Sequence, residues 1–349
     1  MNIRFDKIPI IDVSPLFGTD SEAYAPIDDA IGRACREVGF LVITGQPAAA
    51  SLDYVAQNRL FAFFDLPEAD KLTLARHQNN PVNHNIYRGW FPALAGERSY
   101  KEGIDIGPEH LVGDPIVQAR EPLLEPNQWP PEAMLPGWRE AVLNYWNAMN
   151  ALGFVMIRAI ARHLGLPANW FDDKFENSNA SLRLLKYPQP VTTAQLSGLT
   201  WVDTDSNDPS RHIVAAVHTD SGCLSLLSQD NVGGLQVENG EGTWVDVPTI
   251  EGSLVVNIGD TLARWTNDVL RATRHRVLGP PSVRHSIPYF FEPRFDTTIE
   301  CVPTCAGADG PQYPSVRFGD HLLYKMSTYT EFHTLFRGGV LQRPAVGSG

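Results

Sequence analysis

The chain has 349 residues, of which 43% are hydrophobic and 19% charged. That is enough apolar material for a substantial core and excludes an intrinsically disordered polymer. The net charge of −12 and pI near 5.3 argue against nucleic acid or an anionic membrane surface as partners. An anionic ligand must then be held by local Arg or Lys.

Met1 to Asp6 lacks a cationic start followed by an apolar run, so no signal peptide is expected. Ile8 to Val13 reads as a first strand closed by Ser14-Pro15. Ile27, Ile31, Ala34 and Val38 recur at helical spacing. Gly39 should end that helix, and the continuous apolar run Phe40 to Thr44 predicts a strand buried on both faces. Leu52 to Phe64 reads as a second amphipathic helix, continued by a short charged segment from Pro67 to Leu74.

Arg76 to Pro136 is irregular and rich in Pro, Gly and Asn, and so long a stretch inside a compact domain is usually functional. It carries Tyr87, Trp90 and Phe91, aromatics that either pack on the core or line a pocket; Tyr87, Phe91 and the later Phe290 are the candidate substrate contacts. Trp138 to Leu164 predicts a long helix whose stripe (Val142, Tyr145, Met149, Leu152, Met156, Ile160) suits core packing. Its apolar run Ala151 to Ala161, interrupted by Arg158, is too short to span a bilayer.

Leu182 to Tyr187 opens a series of short strands, interrupted by a polar surface insertion at Thr200 to Arg211. Ile213–Thr219, Leu224–Ser228, Leu235–Glu238, Trp244–Val247, Leu254–Ile258, Arg276–Leu278, Ser286–Phe291 and Ile299–Val302 follow, most of them separated by turn residues. Short strands at this spacing predict a double-sheet jelly roll, and Asp320 to Phe336 a C-terminal helix. The expected fold class is α+β with a mainly β core. Residues 1–175 form an N-terminal helix and strand region packed on that core, 176–305 the jelly roll and 306–349 a C-terminal helical segment, together one compact catalytic unit. The four cysteines at 35, 223, 301 and 305 form no repeated C-x-x-C pair, so a zinc site is not expected. Reduced thiols in a cytoplasmic protein are the better reading.

The chemistry concentrates in residues 213 to 291. Of ten His, His218 alone is followed two positions on by an acid, Asp220. Strand residues alternate faces with period two, so His218 and Asp220 are expected to point the same way from one strand end. His275 is placed to supply a third ligand, and two His with one carboxylate on one face is the arrangement of non-haem Fe(II) oxygenases. Nine residues later, Arg284 and Ser286 share a face, where a guanidinium beside a hydroxyl makes a carboxylate clamp. His212 lies six residues before His218, roughly 20 Å along a strand, too far to share a metal. His285 points away from Arg284 and Ser286.

The ordered set, H-x-D, a later His before Val277, then R-x-S running into Ile287 to Phe291, resembles the isopenicillin N synthase-like branch of the Fe(II)/2-oxoglutarate-dependent dioxygenases. Further landmarks include Phe64-Asp65-Leu66-Pro67, Tyr87 to Pro92, Lys101 to Gly107, Gly233 to Val237 and Asn257 to Asp260. The resemblance implies that His218, Asp220 and His275 hold Fe(II). It also implies that Arg284 and Ser286, assisted by Tyr187, bind the distal carboxylate of 2-oxoglutarate, and that O2 is consumed with release of succinate and CO2. The expected reaction is oxidation, most simply hydroxylation, of a small organic molecule by a monomer or weak homodimer. Leu185 stands where the common plant-type pattern has Asn, which removes one polar contact to the cosubstrate. Two rivals stay open: an oxidase that cyclises or desaturates its substrate without 2-oxoglutarate, and a jelly-roll small-molecule binding protein.

Overall fold

Alternation of side chains along strand β2 (Phe40–Thr44) sets the layering of the molecule. Phe40 and Val42 turn inward between two sheets, while Leu41 and Ile43 join a larger cluster beneath the helices. A strand covered on both sides must be apolar throughout, as this one is. The computed structural model describes residues 4–93, 100–109, 123–188, 213–279 and 282–344. The surface insertion expected at 200–211 and His212 lie outside them.

Besides β2, the strands are β1 (Ile10–Asp12), β3 (Gly89–Phe91), β4 (Glu102–Ile106), β5 (Ser181–Tyr187), β6 (Ile213–His218), β7 (Leu224–Gln229), β8 (Leu235–Glu238), β9 (Trp244–Asp246), β10 (Leu254–Ile258), β11 (His275–Leu278), β12 (Arg284–Phe291), β13 (Thr298–Ile299) and β14 (Val316–Arg317). Eight form one sheet in the order β1-β2-β10-β7-β12-β5-β4-β3, and four form a second, β6-β11-β8-β9. The two larger sheets enclose an inner apolar layer from Phe40, Leu185, Ala215, Leu235, Val255 and Val277, the expected jelly roll.

Helices α1 (Tyr24–Glu37), α2 (Tyr54–Phe61), α3 (Glu68–Thr73) and α4 (Trp138–His163) precede the core strands. The α4 stripe is buried as its spacing requires, and each large apolar side chain so covered contributes about 1.5–3 kcal/mol. Contact with β12 is close enough that a Cβ on Gly153 would meet the Phe291 ring at 2.4 Å. Helix α1 ends where Gly39 takes φ +73° and its N–H bonds Ala34 O at 2.9 Å, a left-handed cap that suits glycine.

Four expectations need correction. The irregular stretch 76–136 contains β3 and β4, which extend the main sheet beyond β5; strands this short carry too little alternation to be read locally. The helix expected over 52–64 gives way to a 3-10 turn at Ala62–Asp65, and Pro67 separates α3 from it. The C-terminal helix is broken into α7 (Phe318–Met326) and α8 (His333–Arg337), following the short α5 (Asp172–Phe175) and α6 (Asp260–Trp265). The strand expected at 299–302 is only β13, because the chain enters a 3-10 turn at Pro303. No helix among the described residues is long and apolar enough to cross a membrane.

Candidate active site

Antiparallel pairing of β11 with β6 sets His275 directly across from His218, their ring centroids 4.2 Å apart. Each imidazole is oriented by its own chain: Nδ1 of His218 lies 2.7 Å from Ala216 O, and Nδ1 of His275 lies 3.1 Å from Thr273 O. With Nδ1–H donating to a carbonyl, the Nε2 lone pair is left free to bind a metal. Asp220 Oδ1 lies 3.8 Å from His218 Nε2 and 3.6 Å from His275 Nε2. The ligand atoms of the three residues all fall within 4.8 Å of one another.

Asp220 reaches this point differently from the reading by alternation. Strand β6 ends at His218, so Asp220 stands in the loop beyond it and strand parity does not orient it. Its position is fixed instead by Oδ2, which accepts from Ser225 Oγ at 2.5 Å and Asn257 Nδ2 at 2.8 Å. Underneath, Gly259 leaves no room for a side chain, since a Cβ there would lie 2.2 Å from Gly222 O and 3.0 Å from Asp220 O.

Burial alone would raise the Asp220 pKa, but the two imidazoles and the Asn257 and Ser225 hydrogen bonds hold it below the usual carboxylate range. Burial, then the neighbouring His275, push His218 down to about 4, although 39% of its side chain stays accessible along the cavity wall. A neutral His218 beside an ionised Asp220 suits coordination of a divalent ion.

The triad opens into a cavity of about 480 Å³. Alternate residues of β12 and its extension, Arg284, Ser286, Pro288, Phe290 and Glu292, all line it, as do Tyr187, Leu185 and Arg183 of β5. Arg284 is 1% exposed; its Nε donates to Gly233 O at 2.8 Å while Nη1 has no partner. Among the described residues no carboxylate pairs with it. Tyr187 faces Arg284 across the β5–β12 ladder and meets the guanidinium with its ring, 4.9 Å from centroid to Cζ. Leu185, the register partner of Ser286, makes this end of the cavity apolar apart from the clamp. His285 points away, stacked on Phe61 at 4.5 Å.

Of the three candidate substrate contacts, Tyr87 and Phe290 line the cavity. Phe91 does not: it is buried, with the guanidinium carbons of Arg76 and Arg183 at 4.3 and 5.2 Å from its ring. It supports a charged network that the sequence reading missed. Arg183 Nε donates to Asp105 at 2.7 Å, Asp105 also pairs with Arg76, and Arg76 with Glu331. Against burial, Arg76 and Arg183 hold the Glu331 carboxyl down to about 2. The missed cavity residues come from three separate segments: Lys101, Glu292, and Tyr329 with Glu331. Continuing the β12 alternation past Phe290 would have found Glu292, and the β5 alternation Arg183.

Two imidazoles and one carboxylate around an open position, in a jelly-roll cavity with a buried arginine that pairs with no carboxylate among the described residues, define a non-haem iron oxygenase. Residues 185–293 match the 2OG-Fe(II) oxygenase superfamily, and residues 8–132 match the family described as non-haem dioxygenase in morphine synthesis N-terminal. The chain belongs to the 2OG-Fe(II) oxygenase superfamily. It is 32% identical to the 2-oxoglutarate-Fe(II) type oxidoreductase hxnY of Emericella nidulans, over 91% of this chain and 90% of that one. It is 30% identical to isopenicillin N synthase of Streptomyces clavuligerus, over 90% of this chain and 93% of that one. Among solved structures, a full-length Neurospora crassa protein in complex with alpha-KG superposes with a TM-score of 0.75 at 30% identity, over 90% of this chain and 94% of that one. The protein is a non-haem Fe(II) oxygenase of this superfamily, acting on a small molecule with O2.

Proposed function

We propose that the protein hydroxylates its substrate. In this reading His218, Asp220 and His275 hold Fe(II), while Arg284 and Ser286, assisted by Tyr187, bind the distal carboxylate of 2-oxoglutarate. The donor set fits the ion, with two imidazole nitrogens and one carboxylate within reach of a common centre. When bound, Fe(II) supplies the redox chemistry with O2 and the 2-oxo acid. The chain's own residues orient and enclose. Ala216 and Thr273 fix the imidazoles, Ser225 and Asn257 fix the carboxylate, and Leu185, Leu227, Leu235 and Val277 keep water from the clamp.

The observation that carries the reading is the unpartnered Nη1 of Arg284, buried in the same cavity as the triad. A buried guanidinium without a carboxylate is costly unless a ligand completes it. Succinate formation from 2-oxoglutarate with Fe(II) and O2, measured with and without candidate substrates, tests this; absence of turnover under every condition refutes it.

A second reading has an observation in its favour. Leu185 offers no amide beside the clamp, and an isopenicillin N synthase is among the relatives, so Arg284 could hold a substrate carboxylate in an oxidase that does without 2-oxoglutarate. O2 uptake independent of 2-oxoglutarate would establish it. We further read the three chain segments as one catalytic unit, a monomer or weak homodimer in the cytoplasm. Four free cysteines support a reducing compartment, and gel filtration tests the assembly state.

A further inference from the structure

Strand β5 sets three cavity residues on one face, Arg183, Leu185 and Tyr187, and Arg183 lies four residues from Tyr187, about 13 Å at strand rise. The clamp occupies the Tyr187 end, since Tyr187 pairs with Arg284. Arg183 stands nearer the metal ligands. Ser225, whose hydroxyl holds Asp220, is level with Phe290, and Phe290 with Ser181, two residues from Arg183. Strands β7 and β5 flank β12 on either side, roughly 10 Å apart at normal strand spacing. The cavity therefore holds a guanidinium in two places, one at the clamp and one across β12 from the metal loop.

Arg183 is the less committed of the two arginines in its network. Arg76 donates Nη1 to Glu331 and Nη2 to Asp105, and is 1% exposed. Arg183 commits only Nε, to Asp105 at 2.7 Å. Its two Nη groups have no hydrogen-bond partner among the described residues, and 11% of the side chain stays accessible where it lines the cavity.

The charge around it is balanced. Two cations, Arg76 and Arg183, face two anions, Asp105 and Glu331. Lys101 belongs to the other end: it stands one residue before Glu102, the partner of Lys186, which puts it level with Tyr187 and the clamp. Glu292 bonds the Cys223 backbone, and its second oxygen is enclosed without a partner, so it offers a ligand nothing. The cavity surface nearby is aromatic, from Tyr87, Phe290 and Phe332, with the Arg183 guanidinium carbon 5.9 Å from the Phe290 ring. What this corner lacks is an oxygen acceptor, held among rings and bringing no charge of its own.

We propose that Arg183 is the substrate anchor, and that the substrate is a flat, uncharged ring compound whose carbonyl oxygen accepts from the free Nη groups. N–H donors in one plane suit a carbonyl oxygen with its two lone pairs. A carboxylate would add an anion beside Asp105 and Glu331, which already balance the two arginines. A ligand without the carbonyl leaves charged donors desolvated and unpaired, a mismatch that discriminates more strongly than a missing apolar group. The inference rests on the function proposed above and names the class of molecule it acts on.

The test is a calorimetric titration of the full chain, loaded with Mn(II) and 2-oxoglutarate. The probes are two matched series: benzamide, benzoate and toluene, and indole-3-carboxamide, indole-3-carboxylate and 3-methylindole. At least one carboxamide should bind about tenfold or more tighter than both of its matched forms. Arg183→Met should erase the preference over the methyl compound while leaving that compound's own affinity near the parent value. Arg183→Lys should restore part of the preference, because an ammonium donates but cannot present the planar fork. A residue that only held Asp105 and Arg76 in place would change all three ligands alike. Arg183→Gln carries the same comparison if the Met variant does not fold, with partial loss expected. Carboxylates bound in preference, no probe bound, or a preference unchanged in Arg183→Met would overturn the assignment and leave the proposed function standing, given 2-oxoglutarate binding in the same cell. Failure to bind or consume 2-oxoglutarate counts against the function itself, and the probe series with Mn(II) alone then still decides the role of Arg183.

Discussion

His218 and His275 face each other as paired residues of adjacent antiparallel strands, and the metal-binding geometry is therefore a consequence of β6–β11 register. The register shifts immediately afterwards, between His275 and Val277, so the pairing that sets the two rings together belongs to the strand ends. A slip of one residue would send one imidazole to the opposite face.

Removing any member of the triad should abolish turnover. His218→Ala, Asp220→Ala and His275→Ala should each lose bound iron, measured by metal analysis after desalting, while circular dichroism stays close to that of the parent. Asn257→Ala should be milder, weakening iron binding about 10- to 100-fold, because it frees the carboxylate without deleting it. Full activity in either His variant would remove the assignment.

The clamp separates the two enzyme readings. A charge-assisted hydrogen bond contributes roughly 1.5–3 kcal/mol, so Arg284→Ala should raise the apparent KM for 2-oxoglutarate about ten- to a hundred-fold or more. Arg284→Lys should recover only part of this, since a point charge cannot reproduce the guanidinium fork. Ser286→Ala should cost less. Substrate KM should stay near its parent value; a large rise there, with no dependence on 2-oxoglutarate, is the result the oxidase reading expects.

Gly259→Ala tests whether the metal loop is held from below. The new methyl must displace the Gly222 and Asp220 carbonyls, which are backbone and cannot rotate away. Overpacking of this kind costs about 1–3 kcal/mol, and the strain falls on the loop that carries Asp220. Iron affinity should drop by more than the melting temperature suggests, read by metal titration beside thermal unfolding. Unchanged affinity would mean the loop absorbs the methyl.

One pH effect is expected away from the site. His163, at the end of α4, accepts from Arg36 Nε at 3.1 Å, and its Nδ1 lies 3.7 Å from Asp29. Burial first, then the Arg36 charge with a smaller push from Arg33, lower its pKa below 6.5, with Asp29 and Asp28 opposing. A depressed histidine favours the folded state when neutral. Its contribution is fully present above pH about 6.5 and fades as pH falls toward the folded value. Between pH 7.5 and 5.5 the parent should therefore lose more stability than His163→Gln in parallel urea titrations; equal losses would count against it.

Local pattern carried much of this molecule. The α4 stripe, the doubly buried β2, the pairing of Arg284 with Ser286 on one face and the outward turn of His285 all follow from periods of 3.6 and 2, which the sequence by itself determines. Tertiary structure decided what depends on distant segments meeting. Asp220 is aimed by hydrogen bonds from Ser225 and Asn257 rather than by strand parity, and Phe91 is drawn under Arg76 and Arg183 instead of the cavity. The Arg76–Asp105–Arg183 network joins segments that no local window contains, and the free oxygen of Glu292 is visible only once its neighbours are known. Side-chain period is a property of a few consecutive residues, whereas register, closure and hydrogen-bond satisfaction are fixed only when the sheets pair and the core packs.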